Sequence, residues 1–416
     1  MTTAVLVGTL DTKGREYGFV RDRLRDRGID VVLIDVGVLG QPTVAPDVSA
    51  SEVAAAAGAH LDELRFAREG SDTRAVALET MRDGARAIVD SLRRDGRCDG
   101  ALGLGGSGGS ALISAVLRSL PLGVPKVLVS TMASGDVSAY VGASDLCLMH
   151  SVTDIAGLNR ISRPILSNAA FALAGMLTGR PSELVPEPDQ DRPAVAVTML
   201  GVTTPAALRV VDRLDEGGFD AITFHAVGSG GRALEQLLDQ GVFAGVIDLT
   251  VKELTDEHFG GLFRAGDERL RTAGRAGIPQ VIVPGAIEVL NFGPLDSVPA
   301  GLVDGSRPIV RHNDQVTAVR LSRSELVGMA GVLAARVNAS RGPTVVVVPM
   351  GGFDGYAQAD GPFWNPDDDA AFVDALVGQL TAPPLLIDAH INDKRFADAL
   401  VDAFHHLVTP YRGAQE

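Results

Sequence analysis

Gly103-Leu-Gly-Gly-Ser-Gly-Gly-Ser110 is the stretch of this chain best suited to chemistry. Glycines free successive backbone N–H groups to point into one concavity, and a helix starting there adds the partial positive charge of its N-terminus. The flanks agree. Asp99-Gly-Ala-Leu-Gly-Leu104 reads as a short buried strand, and Ala111-Leu-Ile-Ser-Ala-Val-Leu117 has the apolar spacing of a helix covering a sheet. Gly105, Gly106, Ser107, Gly108, Gly109 and Ser110 then form a phosphate cradle, most simply for a nucleotide, with Ser110 also placed to cap the helix. The competing reading is a turn that only lets strand and helix pack closely. Gly103, Gly105 and Gly108 fit G-x-G-x-x-G, but the next strand, Lys126-Val-Leu-Val129, ends in Ser130-Thr131 and its first acid is Asp136. A dinucleotide site wants an acid at that strand end to hold the ribose, and a P-loop wants G-K-[ST]. Neither is present.

Other strand ends supply further candidates. Ala4-Val-Leu-Val-Gly8 is a strand, and Thr9-Leu-Asp-Thr-Lys-Gly14 leads from it into a helix. Thr9, Asp11, Thr12 and Lys13 would face the glycine loop's crevice, Lys13 as a cation for phosphate and Asp11 as a metal or ribose partner. Asp11 and Thr12 serve equally well as helix caps. Ser130, Thr131, Gly135 and Asp136 make another small, hydroxyl-rich run after a strand, and His150 ends a fifth strand before a long helix from about Ile155. In the second half, Gly228-Ser-Gly-Gly231 echoes the first glycine loop and is a place for a co-substrate. Glu288, His312 and Asp354 all lie near strand ends, where convergence would make a lyase or hydrolase site. Asp388, His390 and Asp393 match no stereotyped zinc spacing, and Asn392-Asp393 caps the last helix.

The elements that must position these residues are α/β. The chain has 416 residues, 46% hydrophobic, with few aromatics and 48 glycines. Strands such as Thr344-Val-Val-Val-Val348 are continuous apolar runs, as in parallel sheets buried on both faces. The reading is two doubly wound, Rossmann-like domains with mostly parallel sheets: residues 1–180, a proline-rich polar linker at 181–193, and residues 194–416. A formal charge of −15 argues against nucleic acid and anionic membrane as partners. Cys98 and Cys147 make neither a disulfide framework nor a zinc spacing, no apolar run reaches bilayer length, and the N-terminus reads as a strand and not a signal peptide. Those features point to the cytoplasm.

Long motifs also carry a resemblance. VLVGTLDTKG, LGLGGSGG and STMASGDVSAYVGASDLCLMHSVTDIAGLNRISRPILSNAA, with HAVGSGGRALE, DLTVKEL, NFGP and HINDKRFADAL, resemble the ATP-binding family named after a plant tobamovirus resistance protein. The similarity spans nearly the whole chain. It implies two α/β domains, nucleotide binding and self-association as a homodimer or larger homo-oligomer. The plant relative's longer chain has a C-terminal region with no counterpart here, so its role does not carry over. The expectation is an ATP-binding protein, with Mg²⁺ held by Asp11 or Asp136. If it is an enzyme, phosphoryl or nucleotidyl transfer to a small carboxylate or sugar acid, in a crevice between the domains, fits best. A non-catalytic, nucleotide-gated oligomer is the alternative, and a lyase or hydrolase on Glu288, His312 and Asp354 is the third reading.

Overall fold

The computed structural model describes residues 2–66, 71–179 and 192–412. The chain divides into two compact units, Met1–Pro186 and Glu187–Glu416. Most of the proline-rich segment 181–193 lies outside the described residues.

The first unit is a five-stranded parallel sheet: β1 (Thr3–Gly8), β2 (Asp30–Asp35), β3 (Gly100–Gly105), β4 (Lys126–Ser130) and β5 (Cys147–His150), in the order β2-β1-β3-β4-β5. Side chains alternate along each strand, so two cores form. Val5, Val7, Val32 and Ile34 join Met81 and Val89 of helix Ser71–Arg94 and Ile113 of helix Ser107–Leu117 on one face. Ala4, Leu6, Leu33 and Leu102 join Tyr17 and Val20 of helix Leu10–Arg25 and Leu173 of helix Ser162–Thr178 on the other. A sheet covered on both faces needs apolar residues at odd and even positions alike, which is why these strands read as unbroken apolar runs. The chain order reverses between β1 and β3. In such sheets the crevice outside the carboxyl ends at that point is where ligands bind.

The helix expected from about Ile155 starts at Ser162. Residues 151–161 are held as a loop: Asn159 Oδ1 accepts the Ile161 and Ser162 amides at 2.8 and 2.9 Å, and Pro164 occupies the first turn, the part of a helix that tolerates proline.

The second unit is a six-stranded parallel sheet made of β6 (Ala194–Met199), β7 (Asp220–His225), β8 (Gly245–Thr250), β9 (Gln280–Gly285), β13 (Thr344–Pro349) and β14 (Leu385–Ile387), in the order β14-β13-β9-β8-β6-β7. A separate antiparallel sheet joins β10 (Val289–Phe292), β12 (Val316–Arg320) and β11 (Ile309–Asn313). Both main sheets are therefore doubly wound, as the sequence implied. Among the described residues no helix is long and apolar enough to cross a membrane.

Candidate functional site

The glycine loop lies at the reversal point of the first sheet. β3 ends at Gly105 and the helix starts at Ser107, so Gly106 is the N-cap. Ser110, expected as the cap, is one turn inside: it is fully buried, its amide bonds to Gly106 O at 2.7 Å, and its hydroxyl meets Ser130 Oγ at 2.6 Å. Ser130 Oγ also accepts the Met132 amide at 3.0 Å. These two serines tie the helix Ser107–Leu117 to β4 and do not face the cleft. The amides of Ser107, Gly108 and Gly109 have no acceptor among the described residues. They are the unsatisfied donors of a helix start.

Those amides open onto a cleft of about 530 Å³. Thr9, Asp11, Thr12 and Lys13 line it with Gly106 to Gly109, while Val36, Val38, Leu64, Leu78 and Met81 make an apolar wall. Two cations that sequence reasoning missed, Arg65 and Arg74, also line it. A Cβ built on Gly108 would lie 3.5 Å from Arg74 Nη2, so this guanidinium stands over the loop. Arg65 Nη2 reaches Gly40 O at 3.1 Å. Both arginines come from helices remote in sequence, and no motif marks them.

Lys13 does not point its charge freely at this space: Nζ donates to Ile155 O at 2.6 Å. Asp11 braces the loop after β2 through Oδ2, which accepts the Leu39 and Gly40 amides at 2.8 and 3.1 Å, while Oδ1 is buried without a partner among the described residues. Thr9 and Thr12 hydroxyls meet at 2.9 Å. Thr131 lines a second, polar cleft of about 470 Å³ on the other side of Gly106 and Ser107, with His150, Ser151 and Asp154. Gly135 and Asp136 line neither cleft. Asp136 is exposed and accepts the Ser138 amide at 2.9 Å, which holds its carboxyl below the usual range.

Position also depends on Tyr17. Its hydroxyl donates to Val7 O and accepts the Leu104 amide, both at 2.6 Å, stitching β1 to β3 just below the loops. A Cβ on Gly8 would fall 1.9 Å from its ring, so only glycine lets the ring lie there.

The second glycine loop has a different fate. Gly228 (φ +84°) is the N-cap of helix Ser229–Asp239, and the Gly228 and Gly231 amides donate to Glu253 Oε1 at 2.6 and 3.2 Å. Glu253 is fully buried and its other oxygen takes Arg269 Nε at 2.6 Å. This cradle already holds an anion, a carboxylate of its own chain. The expectation of a co-substrate there is overturned.

Glu288 and Asp354 do converge. Asp354 Oδ1 accepts the Tyr356 and Ala357 amides at 2.8 and 2.9 Å, while Asp354 Oδ2 and both Glu288 carboxyl oxygens are buried with no hydrogen-bond partner among the described residues. Burial pushes Asp354 up to about 6. Burial, then the charges of Asp354 and Asp369, push Glu288 well above the ordinary range. His312 is exposed on β11, with Nδ1 2.8 Å from Tyr356 Oη, and lines one cavity with Asp354. Asp388, His390 and Asp393 form no metal-binding group, and no cluster suited to a metal exists among the described residues. His390 is engaged with Asp354 O at 2.8 Å and the Asn392 amide at 3.1 Å.

A pH effect follows from the carboxyl pair. Both groups bind protons more readily folded than unfolded, so their contribution to stability is complete at low pH and fades as pH rises through about 6 for Asp354. Glu288→Gln is expected to flatten that decline and to stabilise the second unit at about pH 8 by about 1–3 kcal/mol, relieving an unsatisfied buried acid. Urea unfolding at about pH 5 and about pH 8, followed by the single tryptophan Trp364, checks this. An unchanged pH slope rejects it.

Comparison with known proteins places these features. The family model described as the uncharacterised protein family (UPF0261) N-terminal domain matches residues 2–182, and its C-terminal domain counterpart matches residues 192–408. A UPF0261 protein of Clostridium tetani is 37% identical over 399 residues, covering 95% of this chain and 96% of its own. UPF0261 protein RA0729 of Rhizobium meliloti is 38% identical over 414 residues, covering 99% and 100%. The ToMV resistance protein Tm-1(GCR237) of Solanum lycopersicum is 36% identical over 339 residues, which is 80% of this chain but 45% of the plant protein. Among solved structures, Acinetobacter baumannii MurG aligns over 98% of this chain and 100% of its own at 13% identity and a TM-score of 0.22, a likeness that carries no argument.

Proposed function

This chain belongs to the uncharacterised protein family UPF0261, and from that premise we propose that its first unit binds ATP through the loop Gly106 to Gly109. The observation that carries this reading is the contrast between the two glycine loops. The second loop's amides hold a carboxylate, Glu253, whereas the corresponding amides of the first have no acceptor among the described residues and open onto a cleft. A helix start with free amides is an anion site, and phosphate is the anion that glycine loops of this shape take. The apolar wall of Val36, Val38, Leu64, Leu78 and Met81 supports the base, and Arg74 over Gly108 supports phosphate charge. Asp11 Oδ1 is the carboxylate oxygen left to meet Mg²⁺ at this cleft. Asp136, on the exposed turn, is not. Lys13, bonded to Ile155 O, positions the loop after β5 and meets phosphate only if that bond is exchanged.

An ATP-dependent transfer to a small acid is the catalytic form of this proposal, and an ATP-steadied homo-oligomer is its non-catalytic form. Sedimentation with and without ATP separates them from each other when joined to an ATP-turnover assay.

The test of binding is calorimetric titration with ATP, ADP and adenosine, with and without Mg²⁺. ATP is expected to bind at least about tenfold more tightly than adenosine, and Arg74→Ala to weaken ATP by about tenfold, the scale of one charge-assisted contact. Absence of ATP binding, or equal affinity for adenosine, would reject the phosphate cradle.

A further inference from the structure

We propose that the second unit carries a separate acid–base site for a small, uncharged carbonyl or hydroxyl compound, in which Asp354 accepts a proton and Tyr356 donates one. The site is a cavity of about 240 Å³ outside the carboxyl ends of β6 and β7, walled by Leu200, Val202, Val227 and Phe263 and reached by Asn291, His312, Asp354 and Tyr356. That volume is below the roughly 300–1,000 Å³ of pockets for drug-sized ligands, so it suits a metabolite-sized one.

Three independent observations converge on it. Asp354 is completely buried against the cavity, with one oxygen fixed by two amides and the other, Oδ2, without a hydrogen-bond partner among the described residues. Asn291 is 5% exposed, lines the same cavity, and its Oδ1 has no partner among the described residues. Tyr356 Oη lies 2.8 Å from Nδ1 of the exposed His312, so phenol and imidazole can pass a proton to solvent. Between Glu288 and Asp354, the two amides on Asp354 favour its charged form, while Glu288 has no comparable donors and keeps the proton. Asp354 is then the base and Glu288 the residue that positions it.

Charge sets the ligand class. Among the described residues no lysine or arginine lines the cavity. Nearby, Lys252 pairs with Asp256 and Arg320 Nη2 with Asp369, each at 2.7 Å, while Arg320 Nε and Nη1 are buried without a partner among the described residues. The carboxyl pair keeps one net negative charge, so an anion is repelled and a neutral molecule is admitted. With a carbonyl compound, the proton on the adjacent carbon passes to the Asp354 carboxylate, and the C–H electron pair forms the enol double bond. The carbonyl oxygen takes the Tyr356 proton, which His312 restores.

A small epoxide reads the same two groups without a known substrate. With glycidol, an Asp354 oxygen forms an ester bond to the terminal carbon, the ring C–O bond breaks, and the ring oxygen takes the Tyr356 proton. The full chain is treated with glycidol or with anionic epoxysuccinate, then digested and mapped by mass spectrometry. Glycidol is expected to esterify Asp354 at least about tenfold faster than the exposed Asp388, and epoxysuccinate to spare Asp354. Tyr356→Phe, which keeps the ring and its contact with Phe363, is expected to slow the reaction about tenfold or more with an unchanged urea midpoint. Labelling of Asp354 no faster than Asp388, preference for epoxysuccinate, or an unchanged rate in Tyr356→Phe each overturn the proposal. None of these outcomes depends on nucleotide binding by the first unit.

Discussion

Gly106→Asp is expected to abolish ATP binding, by about a hundredfold or more, while the first unit melts no lower than the parent. Gly106 has φ −80° and ψ −164°, extended backbone that any residue adopts, and a Cβ there meets only Thr131 Oγ1 at 3.9 Å. Aspartate is among the best N-cap residues, a few tenths of a kcal/mol better than glycine, and its charge at a helix start adds about 0.3–1 kcal/mol. Its carboxylate would accept the amides of Gly108 or Gly109, the donors assigned to phosphate, and would repel what it does not block. The same substitution therefore stabilises the helix and closes the site. Calorimetric ATP titration beside a thermal melt of each protein separates this from misfolding. Retained binding in a folded Gly106→Asp chain would move the nucleotide elsewhere. Gly105→Ala is the contrasting case: its Cβ would fall 2.5 Å from the Ser110 amide, so the turn itself must shift and stability falls with binding.

Arg269→Met should cost the second unit about 3–5 kcal/mol, the range for removing one partner of a buried ion cluster. Arg269 is fully buried and holds Asp248 through two bonds of 2.6 Å and Glu253 through one of 2.6 Å, with Glu235 at 3.6 Å. Methionine fills similar space but leaves Asp248 and Glu253 as uncompensated buried charges. Because Glu253 also carries the Gly228 and Gly231 amides, the start of helix Ser229–Asp239 loosens with it. Arg269→Lys should recover little, since an ammonium cannot span Asp248 and Glu253 in one fork. Urea unfolding followed by Trp364, which lies in this unit, gives the midpoint. A midpoint within error of the parent would show that the cluster contributes nothing net.

Much of this architecture is legible in the sequence because it follows from short-range patterns. Runs such as Ala4-Val-Leu-Val7 and Thr344-Val-Val-Val-Val348 are apolar at successive positions, which only a sheet buried on both faces requires. Gly105 to Gly109 between strand and helix marks an anion cradle for the same reason, since the chemistry resides in backbone amides a few residues apart. The loops at 103–110 and 228–231 look alike in that respect. Tertiary structure alone decides that they differ: the helix after β8 delivers Glu253 into the second cradle, and among the described residues no carboxylate accepts the amides of the first. Likewise, nothing in the chain order pairs Glu288 with Asp354, sets Arg74 over Gly108, or turns Ser110 and Ser130 inward to bond each other. Local propensity acts over one turn or one strand. Which charges meet, and which amides are left open, depends on contacts between segments far apart in the chain, fixed by the packing of helices on the two sheets.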